Sequence, residues 1–348
     1  MTRLRGLSDA DVADLARPEG VHERAVVTVF RVPPEVAGQR VDVFMHGQLH
    51  RTSRTRAQHI VRVSAYDGSG RRLKPNDRVR AEQQILLWRA PWDETPVPTE
   101  VGVVFEDEHL LAVNKPANLP VHPTARYHHN TLIKVLQAAR PGEFLSLGHR
   151  LDRETSGILL VSKTRACDRA LKRRLEQRDD IEKTYMAITW GVPDTGAGRS
   201  FRFERSVELD LASPYKVKMR ISDGPKSLRA ATRFHVEDTC ASNAGAVYAR
   251  VRCELETGRQ HQIRVHLAAL GTPIVGDKLY GPDESAFARG ADGELTPADD
   301  ALLELPRHAL HAAGLALAHP ITGERLTLSA PVPRDLEEFW ARHAGPKT

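Results

Sequence analysis

Between residues 101 and 342 the chain returns repeatedly to short runs of β-branched, aromatic and aliphatic residues closed off by turn-formers. VGVVFEDEHLLAVNKP reads as two strands joined by an acidic turn, and GILLVSK (157–163) as a buried strand. EKTYMAITWG, ATRFHVED, VYARVRCELE and ERLTLSAP supply further strands. Helical spacing interrupts them in three places. These are NTLIKVLQAAR (130–140) with Asn130 as expected N-cap, the amphipathic, basic-faced TRACDRALKRRLEQ (164–177), and HQIRVHLAAL (261–270). Strands and helices do not alternate one for one. That argues against a doubly wound nucleotide fold and predicts an α+β domain with a central mixed, mainly antiparallel sheet.

Ahead of this region the chain changes character. Residues 1–28 are polar and charged and read as an extension; 29–90 form a small α/β unit; 91–100, rich in proline and acid, read as a linker to the 101–342 domain. Within 29–90, Val41, Phe44 and Leu49 keep helical spacing, Ser53 is placed to cap the basic SRTRAQHIVRV, YDGSGRRL is a turn, and DRVRAEQQILLWR alternates as a strand. No segment offers the ~20 apolar residues that span a bilayer, and the N-terminus lacks a secretion signal, so no membrane association and a cytoplasmic location are expected. Three scattered cysteines, Cys167, Cys240 and Cys253, form neither a disulfide framework nor a cysteine zinc site. A formal charge of +5 favours anionic partners, nucleic acid first.

Three stretches can carry chemistry. In GHRLDRETSG (148–157), Asp152 lies among cations and leads into an apolar strand. A surface salt bridge or turn cap is the simple reading; a rigidly held, ionised nucleophile is the sharper one. Thr155 and Ser156 can fix the loop by hydrogen bonds. In KTYMAITWG, Lys183 and Tyr185 share a strand face, where a tyrosine stacks on a base, moves a proton, or simply fills the core. LETGRQHQIRVHLAALGTPIVGDKLYG (255–281) concentrates Arg259, His261, Arg264 and His266. The histidine spacing and the lack of HExxH argue against zinc, and neither a phosphate loop nor GxGxxG occurs, so no metal and no cofactor are expected.

These stretches, with VNKPANLPVHP (113–123) and HALHAAGLALAHPITGERLTLSAPVP, resemble the RluA-type pseudouridine synthases in residues and in order, over about 101–340. The 29–90 unit looks like a divergent S-four-like RNA-binding module, with VSAYDGSGRR replacing the usual short hairpin. The resemblance implies the pseudouridine synthase fold and a cofactor-free isomerisation of uridine in ribosomal or transfer RNA. It implies that Asp152 is catalytic, that Arg150 enters the helix in place of the flipped uridine, that Tyr185 stacks on the base and shares in proton transfer, and that Arg264 pairs with the catalytic carboxylate. His149, Arg150, Arg259, Lys115, Arg54 and Arg56 are the expected RNA contacts, Lys115 and His122 having a structural or RNA-contacting role. Asn118 stands where glycine is frequent; asparagine tolerates the left-handed backbone such a turn needs. Oligomeric state stays open, with a monomer favoured. The rival readings are a non-catalytic RNA-binding protein and a nucleoside or glycoside hydrolase, which would ordinarily oppose two carboxylates across its substrate.

Overall fold

A computed structural model describes residues 17–23, 25–49, 52–90, 94–124, 126–177, 180–195, 198–242 and 245–344. The chain divides into two compact units, Met1–Asp93 and Glu94–Thr348.

The first unit contains β1 (Val26–Arg31), α1 (Val41–Gln48), α2 (Arg54–Ser64), β2 (Ala65–Asp67) and β3 (Gln84–Arg89), with the strands in antiparallel order β1-β3-β2. Val41, Phe44 and Met45 of α1, spaced i, i+3, i+4, bury with Val61 of α2 and with Ile85 and Leu87 of β3. Ser53 caps α2, its hydroxyl accepting the Arg56 N–H at 3.2 Å. Two boundaries differ from expectation. β1 begins at Val26, inside the stretch read as extension, because Val26 already belongs to the core; residues 1–16 lie outside the described residues. The strand expected over 77–89 is only Gln84–Arg89, because Glu82 takes a left-handed φ of 60° and turns the chain just before it.

The second unit runs β4 (Gly102–Glu106), β5 (Leu110–Lys115), α3 (Leu132–Ala139), β6 (Ser146–Leu147), β7 (Ser156–Ser162) and α4 (Arg165–Gln177). It continues with β8 (Ile181–Trp190), β9 (Ser200–Glu204), β10 (Val207–Leu209), β11 (Met219–Ile221), β12 (Ala231–Ala241), β13 (Val247–Leu255) and α5 (Gln262–Ala269). The last elements are α6 (Ala286–Asp292), α7 (Pro297–Leu303), β14 (Leu310–Ala318), β15 (Arg325–Ser329) and α8 (Arg334–Ala344). Ten strands form one sheet, β4-β5-β7-β14-β8-β13-β12-β9, with β15 on β14 and β6 on β7. The β7–β14 pair is parallel and the other pairings are antiparallel, so the mixed, mainly antiparallel α+β architecture holds.

The central strands are apolar on consecutive residues because both sheet faces are covered. In β5 and β7, Leu111, Val113, Leu159 and Val161 face the larger core, while Leu110, Ala112, Ile158 and Leu160 face Cys167 and Leu171 of α4. Gly157, at φ 111°, pairs with Ala312 where a Cβ would lie 2.2 Å from the Ala312 carbonyl oxygen. No other residue lets β7 approach β14 so closely, and that approach sets the depth of the loop just before it.

Two local expectations are corrected. Thr131, not Asn130, is the N-cap of α3; the Asn130 side-chain amide instead donates to the Thr95 carbonyl at 3.0 Å. The expected linker is also bound in: the Glu94 carboxylate accepts the backbone N–H groups of His128, His129 and Asn130 at 2.8–2.9 Å. Residues 91–93 lie outside the described residues. Asn118 does take the left-handed conformation, at φ 65°.

Candidate active site

The loop between β6 and β7 presents its side chains in alternate directions. Leu151 is buried in the main core, Asp152 faces a cleft, and Glu154 turns into the protein. Behind it, Thr155 Oγ1 shares a 2.8 Å hydrogen bond with His308 Nε2, and Ser156 Oγ a 3.0 Å bond with His311 Nδ1. The loop is therefore fixed from below by β14 and the residues leading into it.

Asp152 does not pair with the cations beside it in sequence. Arg153 turns away to the Tyr127 hydroxyl (3.0 Å) and Glu154 (3.1 Å). The partner is Arg264 of α5, whose Nη1 donates to Asp152 Oδ2 at 2.9 Å. The rest of that guanidinium is held by Asp277: Nε to Oδ2 at 2.6 Å and Nη2 to Oδ1 at 2.8 Å. Asp277 is fully buried and also accepts the Leu279 and Tyr280 N–H groups, so it serves as the foundation that aims Arg264. Gly276 makes this possible: at φ 77° a Cβ would lie 2.0 Å from the Arg307 carbonyl oxygen. His261 completes the setting, with Nε2 3.7 Å from Asp152 Oδ2 and Nδ1 2.9 Å from the Tyr280 hydroxyl.

Burial alone would raise the Asp152 pKa, but the facing His261, Arg264 and His308 and the Arg264 hydrogen bond outweigh it and bring it down to about 2. At neutral pH the lasting cation is Arg264, because burial and Arg264 itself push His261 down to about 4. Asp152 is thus ionised, about one-fifth exposed, and its Oδ1 has no hydrogen-bond partner among the described residues. Tyr185 of β8 is buried in the same cleft, and burial plus the Asp152 charge raise its pKa, so it keeps its proton.

The cleft, about 290 Å³, is lined by Asp152, Tyr185 and Arg264 together with His149, Arg150, Lys183 and Arg259. Arg150 is exposed, and no hydrogen bond or ion pair holds its guanidinium among the described residues. His149 lines the wall as a neutral ring: burial and Lys183 hold its pKa well below the usual value, and its Nε2 accepts the Leu160 N–H at 3.3 Å. Arg259 Nε donates to the Arg229 carbonyl at 3.1 Å. Arg54 and Arg56 are exposed on α2 of the first unit.

Lys115 is the exception. Fully buried, it donates to the carbonyls of Pro116, Leu119 and Arg153 at 2.8–3.0 Å, which uses all three ammonium protons. An RNA-contacting role is therefore withdrawn; the lysine ties the 116–119 turn to the Asp152 loop.

The RNA pseudouridylate synthase family model matches residues 109–269, which contain Asp152, Tyr185 and Arg264. The chain is 31% identical over 315 residues to ribosomal large subunit pseudouridine synthase D of Xanthomonas campestris, covering 88% of this chain and 90% of that protein. It is 32% identical over 311 residues to the protein of that name from Pseudomonas aeruginosa, covering 87% and 92%. This chain belongs to the RluA-type RNA pseudouridine synthases. Among solved structures, human RNA pseudouridylate synthase domain containing 1 superposes with a TM-score of 0.56 at 25% identity, over 73% of this chain and 94% of that one.

The synthase is an RNA isomerase that converts uridine to pseudouridine, and the hydrolase reading falls with that assignment. The geometry gives the physical reason. Glu154, the nearby second acid, is engaged by Lys278 Nζ (3.0 Å), Arg153 and the His308 N–H (3.1 Å), so both of its carboxylate oxygens already have partners within the protein. Sequence reasoning missed Asp277, Lys278 and His308. Asp277 and Lys278 stand in the quoted VGDKLYG, but nothing in their spacing marks them as the support of Arg264 and Glu154. Among the described residues no helix is long and apolar enough to cross a membrane.

Proposed function

We propose that the synthase acts on a uridine of large-subunit ribosomal RNA, with Asp152 as the carboxylate that attacks or traps C1′ of the target ribose. The observation that carries this reading is the state of Asp152: ionised, pinned at one oxygen by an arginine that is itself pinned, with the other oxygen open to the cleft. A carboxylate held in that way needs no reorganisation when the glycosidic bond breaks and positive charge develops on the sugar. The N1–C1′ bond breaks, the uracil rotates, and C5–C1′ forms; the C5 proton leaves and N1 gains one, so atoms balance without any redox partner.

The other side chains take roles that follow from their settings. Tyr185, protonated and buried against the cleft, offers a flat face for uracil and a hydroxyl that donates. Arg150, unanchored at the mouth, is free to enter the gap left by the extruded nucleotide and offset part of the few kcal/mol of unstacking. Arg259 and Lys183 supply positive charge along the walls. The first unit, read as an S-four-like RNA-binding module, presents Arg54, Arg56 and Arg62 on the exposed side of α2 to phosphates. Large-subunit RNA is favoured over transfer RNA because the relatives spanning both units carry that substrate in their names.

The test is Asp152→Asn, compared with wild type by mapping pseudouridine in ribosomal and transfer RNA from a deletion strain complemented with each. The expected result is one or more large-subunit sites restored by wild type and none by the variant, with purified variant still binding the RNA. Modification restored by Asp152→Asn removes the nucleophile assignment; restoration confined to transfer RNA removes the substrate assignment.

A further inference from the structure

Asp152 lies on the wall shared by two clefts. Beyond the one that holds Tyr185, a second opening of about 670 Å³ is lined by Arg150, Asp152, Tyr127, Tyr215, Val217 and Phe287, among others. Its chemistry is different. Tyr215 and Phe287 pack edge to face, with centroids 5.2 Å apart and planes at 67°, and both stay partly exposed to the opening. Val217 beside them is 41% exposed. On the opposite flank a third cleft, about 400 Å³, adjoins the first through His149, Lys183 and Arg259 and carries Glu176 and Glu256 but no tyrosine, phenylalanine or tryptophan.

The aromatic wall is built. Arg289 of α6 donates to Asp299 (2.9 Å) and Asp283 (2.9 Å), fixing the helix that carries Phe287. The loop carrying Tyr215 is tied down by Lys218 to Glu284 and by the Gln260 side-chain amide to the Val217 carbonyl at 3.1 Å. Volume and composition fall in the range of a small-ligand site, and preorganised aromatic faces next to arginine are what an unstacked base binds.

We propose that this cleft is a second base subsite, taking the nucleobase directly adjacent to the target uridine in the same strand and stacking it against the Tyr215–Phe287 wall. The inference rests on the reading that Asp152 faces the target ribose. The RNA strand must then leave that ribose on both sides, and the wall shared at Arg150 and Asp152 puts the aromatic opening next in line. One neighbour enters the aromatic cleft as a base, and the polar flank on the other side follows the backbone. Recognition there is by stacking, so it favours an extruded base of any identity over a paired one.

The experiment uses the full-length enzyme in single turnover on a synthetic hairpin centred on the uridine mapped above, intact or with an abasic nucleotide on the 5′ or the 3′ side. For wild type, one of the two abasic hairpins is expected to lose roughly tenfold in kcat/KM. Phe287→Leu, which keeps apolar volume without the ring, is expected to lose about as much on the intact hairpin and nothing further on that abasic one; Tyr215→Leu is the second variant, and thermal melting checks that both fold. If wild type turns over all three hairpins equally, or if variant and abasic losses multiply, the subsite is overturned while the catalytic reading stands. Failure of wild type on the intact hairpin overturns the reading beneath it.

Discussion

Two aspartates, one in each unit, share a pKa of about 2 and almost nothing else. Asp42, near the start of α1, is fully buried; Arg40 donates to both of its oxygens at 2.8 and 2.9 Å, and the Gln58 amide adds a third bond at 2.7 Å. Asp152 receives one hydrogen bond, at Oδ2, and keeps Oδ1 open to a cleft. The depressed pKa therefore does not distinguish an enclosed structural acid from the acid proposed to react; unspent acceptor capacity does. Asp42 stabilises a helix start, whereas Asp152 is held ready by charges whose own hydrogen bonds are satisfied elsewhere.

Exchanging the two roles gives the largest expected effects. Asp152→Asn is expected to abolish detectable isomerisation while the protein still folds, since the amide oxygen can accept the Arg264 hydrogen bond but cannot act as a nucleophile. Asp42→Ala is expected to leave isomerisation intact and to destabilise the protein by ~1–3 kcal/mol, as the hydrogen bonds from Arg40 and Gln58 lose their acceptor. Urea titration paired with single-turnover assays reads both, and isomerisation retained by Asp152→Asn or abolished by Asp42→Ala would erase the distinction.

Arg264 joins the two kinds of acid in one side chain, because it faces the open Asp152 and the enclosed Asp277 at once. Arg264→Gln is expected to lose both activity and fold stability, the latter by ~3–5 kcal/mol, because Asp277 is left buried without its cation. Activity lost with unchanged stability would mean that Asp277 is held by the Leu279 and Tyr280 N–H groups alone.

Lys115 extends the comparison to a cation. Its three N–H groups are all taken by carbonyls, so like Asp42 it has nothing left for a ligand. Lys115→Met is expected to cost ~1–3 kcal/mol in stability through the unpaired carbonyls and to leave the Kd for RNA and its salt dependence unchanged. A shallower salt slope in filter binding would return Lys115 to the RNA interface.

The same rule explains what could be read from the chain. The sheet was legible because strands buried on both faces are apolar on consecutive residues, as in Leu110–Val113 and Ile158–Val161. Asp152, Tyr185 and Arg264 were legible because they stand in the local motifs that carry the family resemblance. The supports were not, since Arg264–Asp277 and Glu154–Lys278 are made by the fold across 13 and 124 residues, and a buried acid carries no local mark. Some misses had a signal. Thr296-Pro297-Ala298-Asp299 is a capping box with proline at N1, and it opens α7. Leu336, Phe339 and Trp340, spaced i, i+3, i+4, are the buried face of α8. Lys115 misled because a lysine beside a turn reads as surface until its burial is known.

The smallest expected effect is on pH dependence, where the two aspartates converge. Both have folded-state pKa values near 2, below the ordinary 3.8, so each contributes stability that is present above about pH 4 and is lost as pH falls toward 2. Urea titrations between pH 5 and 2.5 should show wild type losing stability through that window and Asp42→Asn losing less. The Asp152 carboxylate stays charged throughout the range in which RNA can be assayed, so its ionisation should put no limb on the rate between about pH 5 and 8. A rate that falls with a pKa of 5–6 in wild type, and not in His261→Gln, would shift the acid limb to His261, 3.7 Å from the carboxylate, and make Asp152 dependent on the neutrality of that ring.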